Sequence, residues 1–154
     1  MPKYIMLIGV PASGKSTWVR ANVNPNAVIA SSDDYLEAMA AKNGKTYNDV
    51  FDQYIKAANQ HVSTTVKVAT SKRLDIVHDQ TNLSKKSRAP KLAMIPGEYE
   101  KIAVVFPTPA DDEWKRRLGS RPGKTIPSNI LLGMKSSIQM PTKDEGFDEI
   151  IVVK

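Results

Sequence analysis

Residues 9–17 read Gly-Val-Pro-Ala-Ser-Gly-Lys-Ser-Thr and match G-x-x-x-x-G-K-[ST], the pattern of a phosphate-binding loop. The apolar run 4–8 precedes this loop, and segment 16–21, which is able to form a helix, follows it. A strand, a glycine-rich turn and a helix, in that order, are the context that makes the pattern meaningful. The glycines let backbone amides point inward as an anion nest, and the helix start adds positive potential there. The stretch therefore predicts a site for nucleotide phosphates.

Individual side chains of the loop have predicted roles. The Lys15 ammonium can reach the β- and γ-phosphates, and the Ser16 hydroxyl can ligate the Mg²⁺ ion that bridges them. The expected cofactors are therefore ATP, or another nucleoside triphosphate, and Mg²⁺. The loop residues expected to contact the nucleotide are Gly9, Pro11, Ala12, Ser13, Gly14, Lys15, Ser16 and Thr17.

Length and composition limit the possible classes of protein. The 154 residues fit one domain spanning 1–154, with 41% hydrophobic and 25% charged residues. No apolar stretch approaches the roughly 20 residues that cross a bilayer, and no signal peptide or membrane partner is expected. The absence of cysteine excludes disulfides, zinc thiolates and cysteine nucleophiles, and it fits a cytoplasmic location. The net charge of +6 favours polyanionic partners.

Strand-like and helix-like segments alternate along the chain. This alternation predicts an α/β fold of the P-loop NTPase type, with a parallel five-stranded sheet flanked by helices. Strands are predicted at 3–8, 27–30, 74–79, 102–106 and 149–153, and helices at 16–21, 35–42, 48–72, 87–95, 110–118 and 127–139. Pro90 is expected to be tolerated only in the first turn of its helix. Ligands bind at the carboxyl ends of such strands, which brings the phosphate-binding loop, residues 33–34 and residues 79–82 together.

The polar residues at these strand ends suggest how a phosphoryl acceptor could be activated. Asp33 is predicted to accept the proton of an acceptor hydroxyl, while Asp34 caps the following helix or contacts the substrate. Asp79 is predicted to hold the Mg²⁺ water or Ser16. Thr81 and Asn82 are predicted to contact the acceptor or to position their loop. The alternatives are that both aspartates only cap the helix and that Asp79 is a strand terminus without a metal role.

A basic segment, 115–124, has the character of a lid. Arg117 and Arg121 are expected to contact nucleotide phosphates, and they share a face if the helix persists. An arginine aimed at the transferring group, here Arg121, adds about 10³–10⁵ in rate. Gly119 and Gly123 would allow closure over the nucleotide, and the alternative is a mobile surface loop.

The histidines and tryptophans are interpreted as packing residues. His61 lies on the apolar face predicted for helix 48–72, and His78 lies beside a strand end. Trp18 and Trp114 are expected to pack rather than to stack on a base. No combination of residues indicates redox, zinc or covalent-nucleophile chemistry.

Several motifs, in order, resemble the kinase domain of bacteriophage polynucleotide 5′-kinase. They are G-V-P-A-S-G-K-S-T-W at 9–18, S-D-D-Y at 32–35, D-Q-T-N-L at 79–83 and R-L-G-S-R at 117–121. The resemblance runs almost end to end. It implies transfer of the ATP γ-phosphate to the 5′-hydroxyl of DNA or RNA, at single-stranded or nicked ends, as in nucleic acid repair.

The resemblance also implies roles for particular residues. Lys15 and Ser16 match the phosphate-loop residues, and Asp33 matches the general base. Thr81 falls in the segment that lines the acceptor site, and Arg117 and Arg121 match the lid arginines.

Three departures from the phage enzyme lead to further expectations. Leu36 stands where the phage enzyme has an arginine that contacts the acceptor strand. No D-x-D-x-T motif is present, so no 3′-phosphatase activity is expected. The tail linked to tetramer formation is missing, so a monomer or weak dimer is expected. A phage-encoded chain would work in the host cytoplasm.

Two other functions remain open at this point. One is a P-loop kinase of a small-molecule hydroxyl on a nucleoside, sugar, antibiotic or toxin-type substrate. The other is a nucleotide-dependent binding switch. The positive charge and the match through Arg117 and Arg121 favour the polynucleotide kinase over the small-molecule kinase, and Asp33 at a strand end favours either kinase over the switch.

Overall fold

A computed structural model describes residues 1–154, and one parallel sheet of five strands forms its centre. The strands, numbered along the chain, are β1 (Lys3–Ile8), β2 (Val28–Ser31), β3 (Ile76–Asp79), β4 (Glu100–Val105) and β5 (Glu149–Val152). They lie in the order β2-β3-β1-β4-β5, and every neighbouring pair is parallel. The structure therefore confirms the predicted five-stranded α/β fold. All five carboxyl ends lie at one edge of the sheet.

Six helices connect and flank the strands. They are α1 (Lys15–Asn22), α2 (Ser32–Lys42), α3 (Tyr47–Ser71), α4 (Lys85–Ala93), α5 (Asp111–Gly119) and α6 (Ser128–Ser136). A short 3-10 helix at Lys143–Glu145 precedes β5. None of the helices combines the length and the apolar character that crossing a bilayer requires.

Strand β1 is the centre of the core because both of its faces are covered. Tyr4, Met6 and Ile8 point to one face, where they belong to a cluster that includes Val62 and Val66 of α3. Ile5 and Leu7 point to the other face, against which Trp18 and Val19 of α1 pack. A strand that is buried on both sides reads as a continuous apolar run, which is why segment 4–8 was recognisable in the sequence.

Helix α2 begins earlier than the predicted Tyr35. The Ser31 hydroxyl accepts a hydrogen bond from the Asp34 backbone amide at 3.2 Å, so Ser31 is the N-terminal cap and the helix starts at Ser32. The predicted capping role of Asp34 is therefore wrong. Asp33 and Asp34 both lie in the first turn of α2.

Other helical predictions also need correction. Pro90 is the sixth residue of α4 rather than part of its first turn. On α6, Leu131 and Met134 pack against the cluster formed by Val10, Leu83 and Trp114, whereas Ile130 is 46% exposed. His61 is exposed on α3 and its ring lies 5.1 Å from that of Tyr35, so it is not a residue of the core.

A buried ion pair joins α4 to the 3-10 helix. The fully buried Arg88 donates from Nε and Nη2 to the two carboxylate oxygens of Glu145, at 2.9 and 3.2 Å. Its Nη1 donates to the carbonyl oxygens of Asn82 and Leu83, at 2.9 and 3.1 Å. Arg88 therefore holds the segment that follows β3, which leads to the site at the carboxyl edge of the sheet.

Candidate active site

The phosphate-binding loop connects β1 to α1 with a backbone that few residue types tolerate. Ala12 and Gly14 have positive φ angles of 59° and 100°. Gly9 is packed so closely that an added Cβ would lie 2.8 Å from Ser13 Oγ and 2.9 Å from Phe106 Cβ. Its amide donates to the Thr81 carbonyl at 3.0 Å, which ties the loop to the segment after β3.

Lys15 is held across this loop. Its Nζ donates to the Gly9 carbonyl at 2.9 Å. Burial lowers the pKa of Lys15, while the charges of Asp79 and Asp33 act in the opposite direction. The charges of both carboxylates therefore favour the protonated ammonium form of Lys15.

The chemistry of the loop fits a nucleotide phosphate. Ser13 Oγ is buried and has no hydrogen-bond partner within the protein, which is an unusual state for a hydroxyl group. A phosphate oxygen would satisfy it, beside the Lys15 amine and the amides at the start of α1. No group of three or more His, Cys, Asp or Glu side chains is arranged to hold a metal ion.

A cleft of about 1500 Å³ runs along the carboxyl edge of the sheet. It collects residues from the phosphate-binding loop, the starts of α2 and α3, the end of β3, α5 and the loop after α5. The predicted site residues that line it are Pro11, Ala12, Ser13, Gly14, Lys15, Ser16, Thr17, Asp33, Asp34, Asp79, Thr81, Arg117 and Arg121. Gly9, also predicted as a site residue, is buried at the start of the loop and does not line the cleft.

Asp33 is exposed to the cleft and has one protein partner. Its Oδ1 accepts a hydrogen bond of 2.6 Å from the Tyr47 hydroxyl. Tyr47 is the first residue of α3, where Thr46 and Asp49 form a capping box. Tyr47 was not among the residues predicted from the sequence. The capping box was the available signal for the helix start, but nothing local indicated that the tyrosine faces Asp33.

Two further carboxylates stand close to Asp33. Burial raises the pKa of Asp79, which ends β3 beside Ser31, and the charge of Lys15 opposes this shift. Burial, followed by the charges of Glu37 and Asp33, raises the pKa of Asp34. Three carboxylates, those of Asp33, Asp34 and Asp79, therefore line the same cleft.

Thr81 and Asn82 have different surroundings. Thr81 lines the cleft, whereas Asn82 is 2% exposed and does not. The Asn82 side-chain amide donates to the Leu7 carbonyl at 2.8 Å, and its oxygen accepts from Lys91 Nζ at 2.6 Å. Asn82 therefore positions its loop, and the predicted contact with an acceptor is corrected for this residue.

Gln80 lines the cleft within the segment 79–82 that was predicted to lie there, although no role was predicted for its side chain. Its Oε1 lies 3.1 Å from Nε2 of the buried His78, whose Nδ1 lies 2.6 Å from the Tyr4 hydroxyl. The Gln80 Nε2 donates to Ser32 Oγ and Asn59 Oδ1, both at 3.2 Å. This network fixes the Gln80 side chain, and His78 is buried beside the strand end as predicted.

Helix α5 is attached to the phosphate-binding loop. The buried Trp114 donates from Nε1 to the Pro11 carbonyl at 2.8 Å, and Arg117 Nη1 donates to the Ala12 carbonyl at 3.3 Å. Helix α5 ends at Gly119, before Arg121, so the condition for Arg117 and Arg121 to share a helical face is not met, although both line the cleft.

The segment 120–127, called the lid loop below, rests against the starts of α2 and α3. Asn48 donates from its backbone amide to the Gly123 carbonyl at 3.0 Å. Its side chain donates to the Thr125 carbonyl and accepts from the Thr125 amide, each at 3.0 Å. Lys124 forms an ion pair with Glu37. The lid loop therefore closes one side of the cleft.

Residues 5–141 match the protein-family model described as an AAA domain. The chain belongs to this family. As in other P-loop folds, the AAA domain here places its phosphate-binding loop directly after the central strand β1.

Other proteins resemble this AAA domain along most of its length. The heterogeneous nuclear ribonucleoprotein U-like protein 2 of Mus musculus is 29% identical over 157 residues, which cover 95% of the chain and 21% of that protein. The chain thus spans about a fifth of that relative's length.

Two solved structures show the same fold. A chain of the Pnkp1/Rnl/Hen1 RNA repair complex has a TM-score of 0.69 and 25% identity, covering 96% of this chain and 46% of that one. A gluconokinase from Sinorhizobium meliloti has a TM-score of 0.54 and 18% identity, and the match covers 99% of this chain and 82% of that one. The AAA domain described here therefore has a P-loop kinase fold, a nucleotide-binding architecture.

Proposed function

We propose that the domain transfers the γ-phosphate of ATP to the 5′-hydroxyl end of a DNA or RNA strand, with Asp33 as the general base. The observation that carries this proposal is the position of Asp33. It is exposed and lines the same cleft as Lys15 and the phosphate-binding loop. A nucleotide-dependent switch does not need an exposed acid there.

The donor half of the cleft suits the triphosphate of ATP. The loop amides, Lys15 and the unpartnered Ser13 hydroxyl would hold the phosphates. Ser16 would ligate the Mg²⁺ ion that accompanies the nucleotide, and Asp79 would hold water bound to it. That ion supplies charge neutralisation between the β- and γ-phosphates.

The acceptor half has features that suit the end of a strand. The rings of Tyr47 and Phe51 lie 5.8 Å apart beside Asp33, and Phe51 is 38% exposed. Exposed aromatic rings are the surfaces on which unpaired bases stack. The cleft volume of about 1500 Å³ exceeds the roughly 300–1,000 Å³ of ordinary small-molecule pockets. The similarity to a chain of an RNA repair complex supports the same substrate class.

In the proposed reaction the 5′-oxygen attacks the γ-phosphorus and its proton moves to Asp33. The bond between the γ-phosphorus and the bridging oxygen to the β-phosphate breaks, and ADP leaves with the electron pair. Arg121, from the lid loop, would stabilise the charge on the transferring group. Thr81 and Asp34 would contact the acceptor.

The contacts with the acceptor strand would differ from those of the phage enzyme. Leu36, at the position of the phage arginine, is fully buried and cannot contact an acceptor. A cation does lie beside the aromatic pair: Lys124 Nζ is 4.8 Å from the centre of the Tyr47 ring.

A kinase of a small-molecule hydroxyl is the second candidate. The acceptor side carries the carboxylates of Asp33, Asp34, Glu37, Asp52 and Asp79, which would repel a polyanionic strand and could instead bind a polyhydroxy compound. The fold shared with a gluconokinase is compatible with this alternative.

One set of assays separates the two candidates. Transfer of labelled γ-phosphate is measured to a 5′-hydroxyl oligonucleotide, a free nucleoside and gluconate. Labelling of the oligonucleotide supports the proposal, and labelling of a small acceptor alone rejects it. Asp33→Asn is expected to lower kcat by about 10²–10⁴ while ATP binding is kept. The control is Asp112→Asn, which changes an exposed acid in the first turn of α5 outside the cleft.

A further inference from the structure

We infer that Tyr47 is a positioning residue for the proposed base, and that the lid loop holds Tyr47 in place. The inference rests on the proposed role of Asp33. It assigns a function to a contact between α2 and α3 that neither the phosphate-binding loop nor the lid arginines explain.

The first step is the contact between the two side chains. The Tyr47 hydroxyl donates to Asp33 Oδ1 at 2.6 Å, and no protein group donates to Oδ2. One carboxylate oxygen is thus fixed, and the other is free to accept the proton of an incoming hydroxyl. Burial, followed by the hydrogen bond to Asp33, raises the pKa of Tyr47, so its hydroxyl remains a donor.

The second step is the anchoring of Tyr47 at the start of α3. The Thr46 hydroxyl accepts from the Asp49 amide at 3.3 Å, and Asp49 Oδ2 accepts from the Thr46 amide at 3.0 Å. This reciprocal pair fixes the backbone next to Tyr47. The Phe51 ring, one helical turn further on, packs beside the Tyr47 ring.

The third step is the contact with the lid loop. Lys124 lies over the Tyr47 ring and is itself paired with Glu37. Gly123, with a φ of +69°, approaches so closely that an added Cβ would lie 2.8 Å from Thr46 Cβ. The lid loop is therefore fitted against the start of α3, in addition to its three hydrogen bonds with Asn48.

A single loop thus sets two parts of the proposed reaction. Arg121 belongs to the lid loop, and Asp33 is oriented by a tyrosine on which the same loop rests. When the lid loop is docked, the proposed base and the proposed arginine are both in position. When the lid loop moves away, Lys124 no longer contacts the Tyr47 ring, and the Tyr47 hydroxyl is held less firmly against Asp33.

The test is Tyr47→Phe, which keeps the ring beneath Lys124 and removes only the hydroxyl. Loss of a hydrogen bond to a charged group lowers kcat by about 10- to 100-fold. The KM for ATP and the oligonucleotide Kd, measured by fluorescence anisotropy, stay unchanged. Tyr54→Phe is the matched control, because Tyr54 lies on the same helix, makes no side-chain hydrogen bond and does not line the cleft.

A double-variant cycle distinguishes positioning from a structural role. In the Asp33→Asn background, Tyr47→Phe is expected to have no further effect on kcat. Lys124→Gln is expected to lower kcat in the parent protein and to have a smaller effect in the Tyr47→Phe background. Independent, multiplicative effects would overturn the inference, as would a Tyr47→Phe defect confined to KM or Kd.

The cycle also separates this inference from the proposed function. If Asp33→Asn abolishes transfer while Tyr47→Phe is fully active, the inference fails and the proposed base stands. If Asp33→Asn retains normal turnover, the proposed base fails, and the inference fails with it.

Discussion

Replacing Glu145 by glutamine would remove one charge from the buried ion pair between α4 and the 3-10 helix. The glutamine side chain would occupy the same volume and could still accept one hydrogen bond, but the Arg88 guanidinium would keep its full charge. The Arg88 side chain is 0% exposed and that of Glu145 is 11% exposed. The substitution would therefore leave a buried cation without a counter-ion.

The expected loss of stability is large for a domain of this size. Breaking a buried ion pair by removing one partner costs about 3–5 kcal/mol, because the remaining charge is not solvated. Domains are typically stable by about 5–15 kcal/mol, so the loss is a substantial fraction of the total. At about 2–4 °C per kcal/mol, Tm should fall by about 6–20 °C.

Urea denaturation followed by far-UV circular dichroism would measure this loss. The control is Glu98→Gln, which breaks the 2.9 Å pair between Arg73 and Glu98, whose side chains are 60% and 44% exposed. That change should cost about 0–1 kcal/mol. Equal midpoints for the two variants would refute the argument that burial makes the Arg88 pair important.

The same pair should affect stability in acid. Burial alone would raise the pKa of Glu145, but hydrogen bonds from Arg88 and from the Thr142 amide outweigh it and hold the pKa below its usual value of 4.5. A carboxylate with a lowered pKa in the folded state contributes stability that is present above pH 4.5 and is lost as the pH falls through the lower folded value. The stability of the Glu145→Gln variant should therefore fall less steeply than that of the parent protein as the pH drops below 4.5.

Two further predictions concern the centre of the fold. Gly9→Ala should weaken ATP binding by about 5- to 150-fold in a titration, because the new Cβ displaces Ser13 or Phe106 at a cost of about 1–3 kcal/mol. By contrast, Gly133→Ala, in open space on α6, should stabilise the protein by about 0.5–1 kcal/mol. Burial first, and Lys91 second, lower the pKa of His78 to about 4. Because the unfolded chain binds this proton near pH 6.5, stability should fall by about 3 kcal/mol in total as the pH drops from 6.5 to 4. The measurement is the urea midpoint of a His78→Gln variant at pH 7 and at pH 4.5. Equal midpoints at the two pH values would support this account. A fall in the midpoint as large as that of the parent protein would contradict it.

The fold was predictable because its signals are local. The glycine pattern after segment 4–8 and the alternation of strands and helices were sufficient for the sheet and its flanking helices. The order of the strands was not predictable, since it depends on which connections cross the sheet. The start of α2 was misplaced because two residue types that favour caps, Ser31 and Asp34, compete at that point, and the serine forms the bond.

The errors in the candidate site have a different cause. Residue type and spacing left two roles open for Asn82, of which burial selects the positioning of its loop, and they misplaced His61 in the core. Asn82 is enclosed between the Leu7 carbonyl and Lys91, while His61 lies outside the face of α3 that is buried. Whether a polar side chain faces a cleft or a neighbouring strand depends on tertiary packing, which the sequence pattern does not contain.

Hydrogen bonds from side chains to backbone groups on either side of the cleft could not be predicted from the sequence. Trp114 binds the Pro11 carbonyl at one end of segment 111–127, and Asn48 binds the Thr125 backbone at the other. Backbone carbonyls and amides are present at every position, so these bonds leave almost no trace in residue type. Yet they make one segment bridge the phosphate-binding loop and the start of α3. If these bonds are kept, a movement of α5 shifts the phosphate-binding loop and the Tyr47–Asp33 pair together, which is the coupling that the proposed reaction needs between phosphate binding and acceptor activation.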